Sequence, residues 1–286
     1  VQETLRLPHT GKAVPALSPT IHLVHVFPDG PSGGNPAPIV VDADTMSDAE
    51  MQEIAKTYGH ESAFILPAAA PFDFALRFWV PNHEMPMCGH ATVGAVHTLH
   101  RLNRLTRTRL TISTPSGPVQ ARIADAAVEI TQPPATVTPA PPTDVLEVLG
   151  ITEQDLAAHP VQNASTSRVK TLIPLASQAI LDALTPDFSR IPELCDQLGS
   201  TGLYPYAPSD PATQTFDARQ FPRSSGYPED AATGIAAAAL AYGLLDNHLI
   251  NPDRPVHVRQ GRAMGKPSRI TLRLTPTGLW LGGQVH

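Results

Sequence analysis

Cysteine is scarce in this chain, its basic residues are scattered and no apolar run is long. Each shortage removes a class of protein. The two cysteines, Cys88 and Cys195, lie more than a hundred positions apart and form no Cys-x-x-Cys or Cys/His ligand pattern, which argues against a structural zinc site. Twelve histidines are present, yet none forms a His-Glu-x-x-His or comparable pair, so no metal is expected, and His97 and His100 read as helix-surface residues. A net charge of −6 with a pI of about 6.0 gives no electrostatic footprint for nucleic acid. No stretch approaches the length that crosses a bilayer, and Val1 to Ser18 lacks a basic-then-apolar layout. No membrane partner is expected, and the expected compartment is the cytoplasm.

What remains is a globular composition, 42% hydrophobic and 16% charged, over 286 residues, enough for two domains of ordinary size. The 31 prolines gather in connections, notably Gln132 to Pro142, where they favour an extended linker. The expected division is an N-terminal extension over 1–20, a first domain over 21–130 and a second over 131–286, with the last strands free to return to the first.

Patterning supports an α+β reading. Alternating β-branched stretches predict strands at Ile21–Phe27, Ala37–Val41, Ser62–Leu66, Phe74–Val80, Leu110–Thr114, Pro118–Ile123 and Ala127–Ile130. Pro38 suggests an edge or a bulge. Ser47 with Glu50 makes a capping box for a helix that ends near Gly59, and a second helix is expected over Thr92–Leu102. In the other half, helices are expected at Thr143–Leu149, Thr152–Leu156, Ile191–Gly199 and Thr233–Gly243. Strands there are expected at Lys170–Leu175, Gly202–Tyr206, Thr213–Phe221, Val256–Gln260 and Ser268–Leu274. The similar order of elements in the two halves points to duplication.

Two short stretches look like copies of one another: Cys88-Gly89-His90-Ala91-Thr92-Val93-Gly94 and Asp230-Ala231-Ala232-Thr233-Gly234-Ile235. Each sets polar residues and a glycine before an Ala-rich run, as at a helix start. Helix starts collect unpaired N–H groups and the positive end of the dipole, so a facing pair makes a socket for a small carboxylic acid. Glu61, at the exit from a helix into a strand, is the candidate proton-transferring group, its pKa expected to be lifted by desolvation between domains.

The segments Gly33-Gly34-Asn35-Pro36, Tyr58-Gly59-His60-Glu61-Ser62-Ala63-Phe64, Pro86 to Gly94, Glu229 to Gly234 and Gln260 to Ser268 resemble, in that order, the PhzF-like phenazine-biosynthesis isomerase family, within the diaminopimelate epimerase fold. The resemblance implies two pseudo-symmetric α+β domains, each a curved mixed sheet wrapped around a central helix, with the active site in the cleft between them. It implies a homodimer and no cofactor. It places the catalytic glutamate on Glu61, the glycine-histidine pair on Gly89 and His90, and the aspartate on Asp230. Two positions commonly held by serine are His60 and Ile235 here, which points away from the phenazine precursor as substrate. Cys88 stands where related epimerases keep one catalytic thiol, and near Ala231, the place of the second, there is no cysteine.

Glu61, His90 and Asp230 are therefore the expected catalytic residues, and His60, Cys88, Gly89, Ala91, Thr92, Thr233, Gly234 and Ile235 the expected substrate-binding set. Arg262, Lys266 and Arg269 are weaker candidates for meeting a substrate anion. The leading expectation is a cofactor-independent isomerase shifting a proton and a double bond on a small unsaturated amino or hydroxy acid of specialised biosynthesis, such as a cyclic dienyl acid or an alkylated proline precursor. The alternatives are an epimerase or racemase using Glu61 and Cys88, or a silent acid-binding member of the fold.

Overall fold

The computed structural model describes residues 20–124 and 127–286, and all of the expected N-terminal extension but Thr20 lies outside the described residues. The first half runs β1 (Ile21–Val26), β2 (Asn35–Val40), α1 (Asp48–Tyr58), β3 (Ser62–Leu66), β4 (Phe74–Trp79), β5 (Glu84–Met85), α2 (Gly89–Arg101), β6 (Arg109–Thr114), β7 (Gly117–Ala124) and β8 (Ala127–Gln132). The second runs β9 (Thr136–Pro139), α3 (Thr143–Leu149), β10 (Gln162–Ser165), β11 (Val169–Pro174), α4 (Gln178–Ala183), α5 (Ile191–Gln197), β12 (Gly202–Asp210), β13 (Thr215–Ala218), β14 (Phe221–Pro222), α6 (Gly234–Asp246), β15 (Val256–Gln260), β16 (Ser268–Thr275) and β17 (Gly278–Gln284).

The duplication is visible in the pairing. From β1 through β2, β3, β4, β6 and β7 to β8 the neighbours are antiparallel, parallel, antiparallel, parallel, antiparallel and antiparallel. From β10 through β11, β12, β13, β15 and β16 to β17 the same succession recurs. Strand β17 also pairs antiparallel with β8, and beyond it His25 and His286 exchange backbone hydrogen bonds at 2.8 and 3.1 Å. The first sheet thereby closes on itself around α2. Closing a sheet removes the exposed edges that would otherwise pair with another chain.

Each central helix is built to be surrounded. Helix α6 carries Ala236 to Ala239 and Ala241 at zero exposure, apolar on every side, as a helix enclosed by sheet must be. Small residues let strands approach: a Cβ on Gly94 of α2 would stand 3.1 to 3.3 Å from Val24, Val26 and Ile39. Outside the barrels, Met51 and Ala55 of α1 pack on Val40, Phe64 and Trp79. Helices α3 to α5 cover the outer face of the second sheet, where Cys195 is buried among Val145, Leu194 and Leu203.

Several expectations need correction. The segment 152–156 forms only a short 3-10 turn at Glu153–Asp155, and the expected long strand at Thr213–Phe221 divides into β13 and β14. The Pro-rich connection contributes strand β9, which pairs with β10. Pro38 is neither an edge nor a bulge: it lies opposite Leu23, just before the Ile39–Val40 stretch where β2 also meets β3, so its missing N–H breaks no ladder. Strands β10 and β17 and helix α4 carry weak local signals and were not anticipated.

Candidate active site

The Ser47–Glu50 capping box starts α1 and Gly59, at φ 67°, ends it in the left-handed conformation that glycine adopts without strain. The chain then turns through His60 and enters β3 at Ser62, which leaves Glu61 fixed at the sheet end and 7% exposed. Cys88 is the N-cap of α2 and His90 lies in its first turn; both are buried. The Cys88 thiol donates to Glu61 Oε2 at 2.9 Å, His90 Nδ1 lies 3.2 Å from the same oxygen, and Cys88 Sγ is 3.4 Å from His90 Nδ1. His90 Nε2 is buried with no partner among the described residues.

Asp230 comes from the other half. Its backbone N–H donates to the Gln220 carbonyl at 3.0 Å, and the neighbouring Glu229 is gripped by a bidentate Arg219 at 2.8 and 2.9 Å. Asn35 Nδ2 donates to Asp230 Oδ1 at 2.6 Å and to the Ala232 carbonyl at 2.9 Å, and the Thr233 hydroxyl donates to Asp230 Oδ2. Gln260, itself held by Tyr204 at 2.9 Å, donates to the Asp230 carbonyl at 2.6 Å. Gly261, at φ 78°, carries the following loop against Ala231, where a Cβ would stand 2.7 Å from the Ala231 carbonyl oxygen.

The two helix starts meet. A Cβ on Gly89 would stand 3.5 Å from the Gly234 Cα, and neither N-cap side chain, Cys88 nor Thr233, bonds to the first-turn N–H groups. Beside this contact is a cavity of about 290 Å³ lined by His60, Glu61, His90 and Asp230 together with Asn35, Tyr227, Met264 and Lys266. Of the expected binding residues, only His60 is among its lining. Cys88, Ala91, Thr92 and Ile235 are buried at the helix starts, with the Thr92 hydroxyl donating to the Cys88 carbonyl at 2.7 Å. Arg262 pairs with Asp182 and Asp217, and Arg269 stands on β16 in register with Arg259 of β15. Asn35, Tyr227 and Gln260 were missed as functional residues; Asn35 and Gln260 stood inside quoted motifs, but nothing local marked their partners.

The electrostatics divide the two carboxyl groups. Burial pushes Glu61 up, but His90, Arg168 and the Cys88 and Tyr227 donors outweigh it and hold the carboxyl below its ordinary value. The expected upward shift of Glu61 is therefore reversed. It is Asp230 that is raised, to about 6, by burial and by the Glu61 charge. His60 is pushed down to about 4 by burial and by Lys266, His90 and His25.

Two α+β barrels sharing a strand, with their central helices abutting end to end beside a pocket lined by two buried acids, have the diaminopimelate epimerase fold. A family model described as "Phenazine biosynthesis-like protein" matches residues 24–279, and the chain belongs to this PhzC-PhzF family. It is 30% identical to the uncharacterized isomerase YddE of Salmonella typhimurium, over 94% of this chain and 96% of that one. It is 29% identical to the trans-2,3-dihydro-3-hydroxyanthranilate isomerase of Pseudomonas fluorescens, over 86% and 87%. A predicted epimerase of Pseudomonas aeruginosa superposes with a TM-score of 0.82 at 27% identity, over 94% and 96% of the two chains.

Proposed function

We propose that the chain moves a proton, and with it a double bond, along a small unsaturated amino or hydroxy carboxylic acid of specialised metabolism. The substrate carboxylate sits at the abutting starts of α2 and α6, where unpaired N–H groups and two dipole ends favour negative charge. Glu61, ionised, takes a proton from one carbon and returns it to another, so the reaction is redox-neutral and the base is regenerated. Asp230 in its acid form donates a hydrogen bond to the charge that develops on the substrate. His90 and Asn35 hold the two carboxyl groups in place.

The observation that supports this reading is an unlike pair in one cavity: Glu61 from the first half is held below its ordinary value, and Asp230 from the second is raised to about 6. Groups whose surroundings push their pKa values apart divide into base and acid. Epimerisation by Glu61 and Cys88 is disfavoured, because the two side chains touch at 2.9 Å and no substrate carbon fits between them.

The test is turnover in D2O of trans-2,3-dihydro-3-hydroxyanthranilate, the compound in the relative's name, and of smaller unsaturated amino and hydroxy acids. Label arriving at a different carbon supports isomerisation. Label replacing the original hydrogen with loss of configuration means epimerisation, and binding without exchange means a silent fold; either outcome defeats the proposal.

A further inference from the structure

Sequence spacing offers no metal motif, but the tertiary structure gathers three ligand types at one point. Glu61 Oε2, Cys88 Sγ and His90 Nδ1 lie 2.9, 3.2 and 3.4 Å from one another, all buried, and form a carboxylate, thiol and imidazole triangle. For zinc, bonds of about 2.3 Å to sulfur and about 2.0–2.2 Å to nitrogen and oxygen place tetrahedral ligands roughly 3.3–3.6 Å apart. The observed edges are within a few tenths of an ångström of that, except Sγ to Oε2, observed at 2.9 Å, which must open by roughly 0.7 Å. Glu61 is the one member not carried by α2, so its side-chain torsions supply that opening.

The geometry points to a binding site for a soft divalent cation, of the zinc, cobalt or cadmium class, held by Glu61, Cys88 and His90, whose occupancy stops proton transfer. Three protein ligands leave the fourth position open, and because Glu61 and His90 line the cavity that position is reachable from it. The bonding balances without a redox partner. The metal–sulfur bond replaces the Cys88 S–H bond and that proton passes to the buffer. His90 carries its proton on Nε2, which is bonded to no other group among the described residues, and coordinates through Nδ1. Glu61 gives Oε2, the same oxygen that now accepts from Cys88. Asp230 across the cavity favours a cation, while Arg168 near Glu61 and Lys266 at the lining oppose it. Metal and substrate proton compete for the Glu61 carboxylate, so the cation is an inhibitor and not a helper of the isomerase reaction.

The test reads binding and not turnover, so it stands whether or not the proposed isomerisation is right. Cobalt(II) is titrated into the tag-free full chain and followed by its ultraviolet thiolate-to-metal charge-transfer band. One equivalent is expected, displaced by zinc. With only two cysteines present, Cys195→Ser should keep the band and Cys88→Ser should lose it. His90→Asn and Glu61→Gln should weaken zinc binding by calorimetry by more than the ~10–100-fold that loss of an outer-shell partner costs. These two variants carry the test if Cys88→Ser does not fold by circular dichroism. No band in the wild type, a band that survives Cys88→Ser, or zinc affinity unchanged in both other variants overturns the proposal.

Discussion

Asn35, at the start of β2 in the first half, donates to Asp230 of the second at 2.6 Å and through the same nitrogen to the Ala232 carbonyl at 2.9 Å. One buried amide thus ties the two walls of the cavity. Replacing it by alanine leaves a buried carboxyl and a buried carbonyl each short of a donor. Asn35→Ala is expected to lose about 1–3 kcal/mol of stability, measured by urea denaturation, and to lower kcat/KM. Asn35→Asp, which sets a second carboxyl against Asp230, should lower it further. Unchanged stability and turnover in both variants would remove Asn35 from the site.

Glu61→Gln keeps the size of the side chain but cannot carry a proton. The loss of kcat should reach at least the ~10²–10⁴-fold typical of removing a general acid or base. Solvent deuterium should no longer enter the substrate. Exchange persisting at the wild-type rate would falsify the role given to this residue.

Asp230 makes a signed pH prediction. Its folded pKa is raised from 3.8 to about 6, so it binds its proton more tightly folded than unfolded. Its contribution to stability is full below pH 3.8 and is lost as pH rises through about 6. Asp230→Asn stays neutral, so the wild type should lose stability relative to this variant on going from about pH 4 to about pH 7. The basic limb of kcat/KM should fall with the same midpoint of about 6 in the wild type. A stability difference that is flat across that range counts against the shift.

His60 is held neutral to about pH 4, by burial first and then by Lys266, His90 and His25. Lys266→Met removes one of those charges, so the His60 titration followed by NMR should move upward, toward its ordinary value. A shift in the opposite direction, or none, would place Lys266 away from His60 in solution.

Gly243 and Gly89 separate packing from function. An added methyl at Gly243 of α6 would meet Leu172 Cδ1 at 2.4 Å inside the core, whereas at Gly89 its nearest neighbour, the Gly234 Cα, stands at an ordinary 3.5 Å. Gly243→Ala should cost about 1–3 kcal/mol by thermal or urea denaturation. Gly89→Ala should fold nearly as well as the wild type but bind substrate poorly, because the methyl enters the space between the helix starts. Equal stability in the two variants would contradict the close approach of α6 to β11.

Much of this was legible in the chain because it is local. The Ser47–Glu50 box and the Gly59 cap depend on residues three and four apart, and strands such as Ser62–Leu66 and Val256–Gln260 on alternation within one segment, so they were found at their observed bounds. The two glycine-bearing helix starts were visible as a repeated pattern. What no window of sequence contains is the pairing of β17 with both β16 and β8, which shares one strand between the two barrels. Nor does it contain the reach of Asn35 to Asp230, or the meeting of Glu61, Cys88 and His90. The direction of the Glu61 shift belongs to the same class. Burial alone predicts a rise, and only the assembled neighbours His90, Arg168, Cys88 and Tyr227 reverse it, because charge interactions depend on distance in space and not on separation along the chain. The sequence by itself determined caps, strands and the family motifs; the tertiary structure decided which of the two carboxyl groups is held low and which is raised, because the charges that shift them meet only in space.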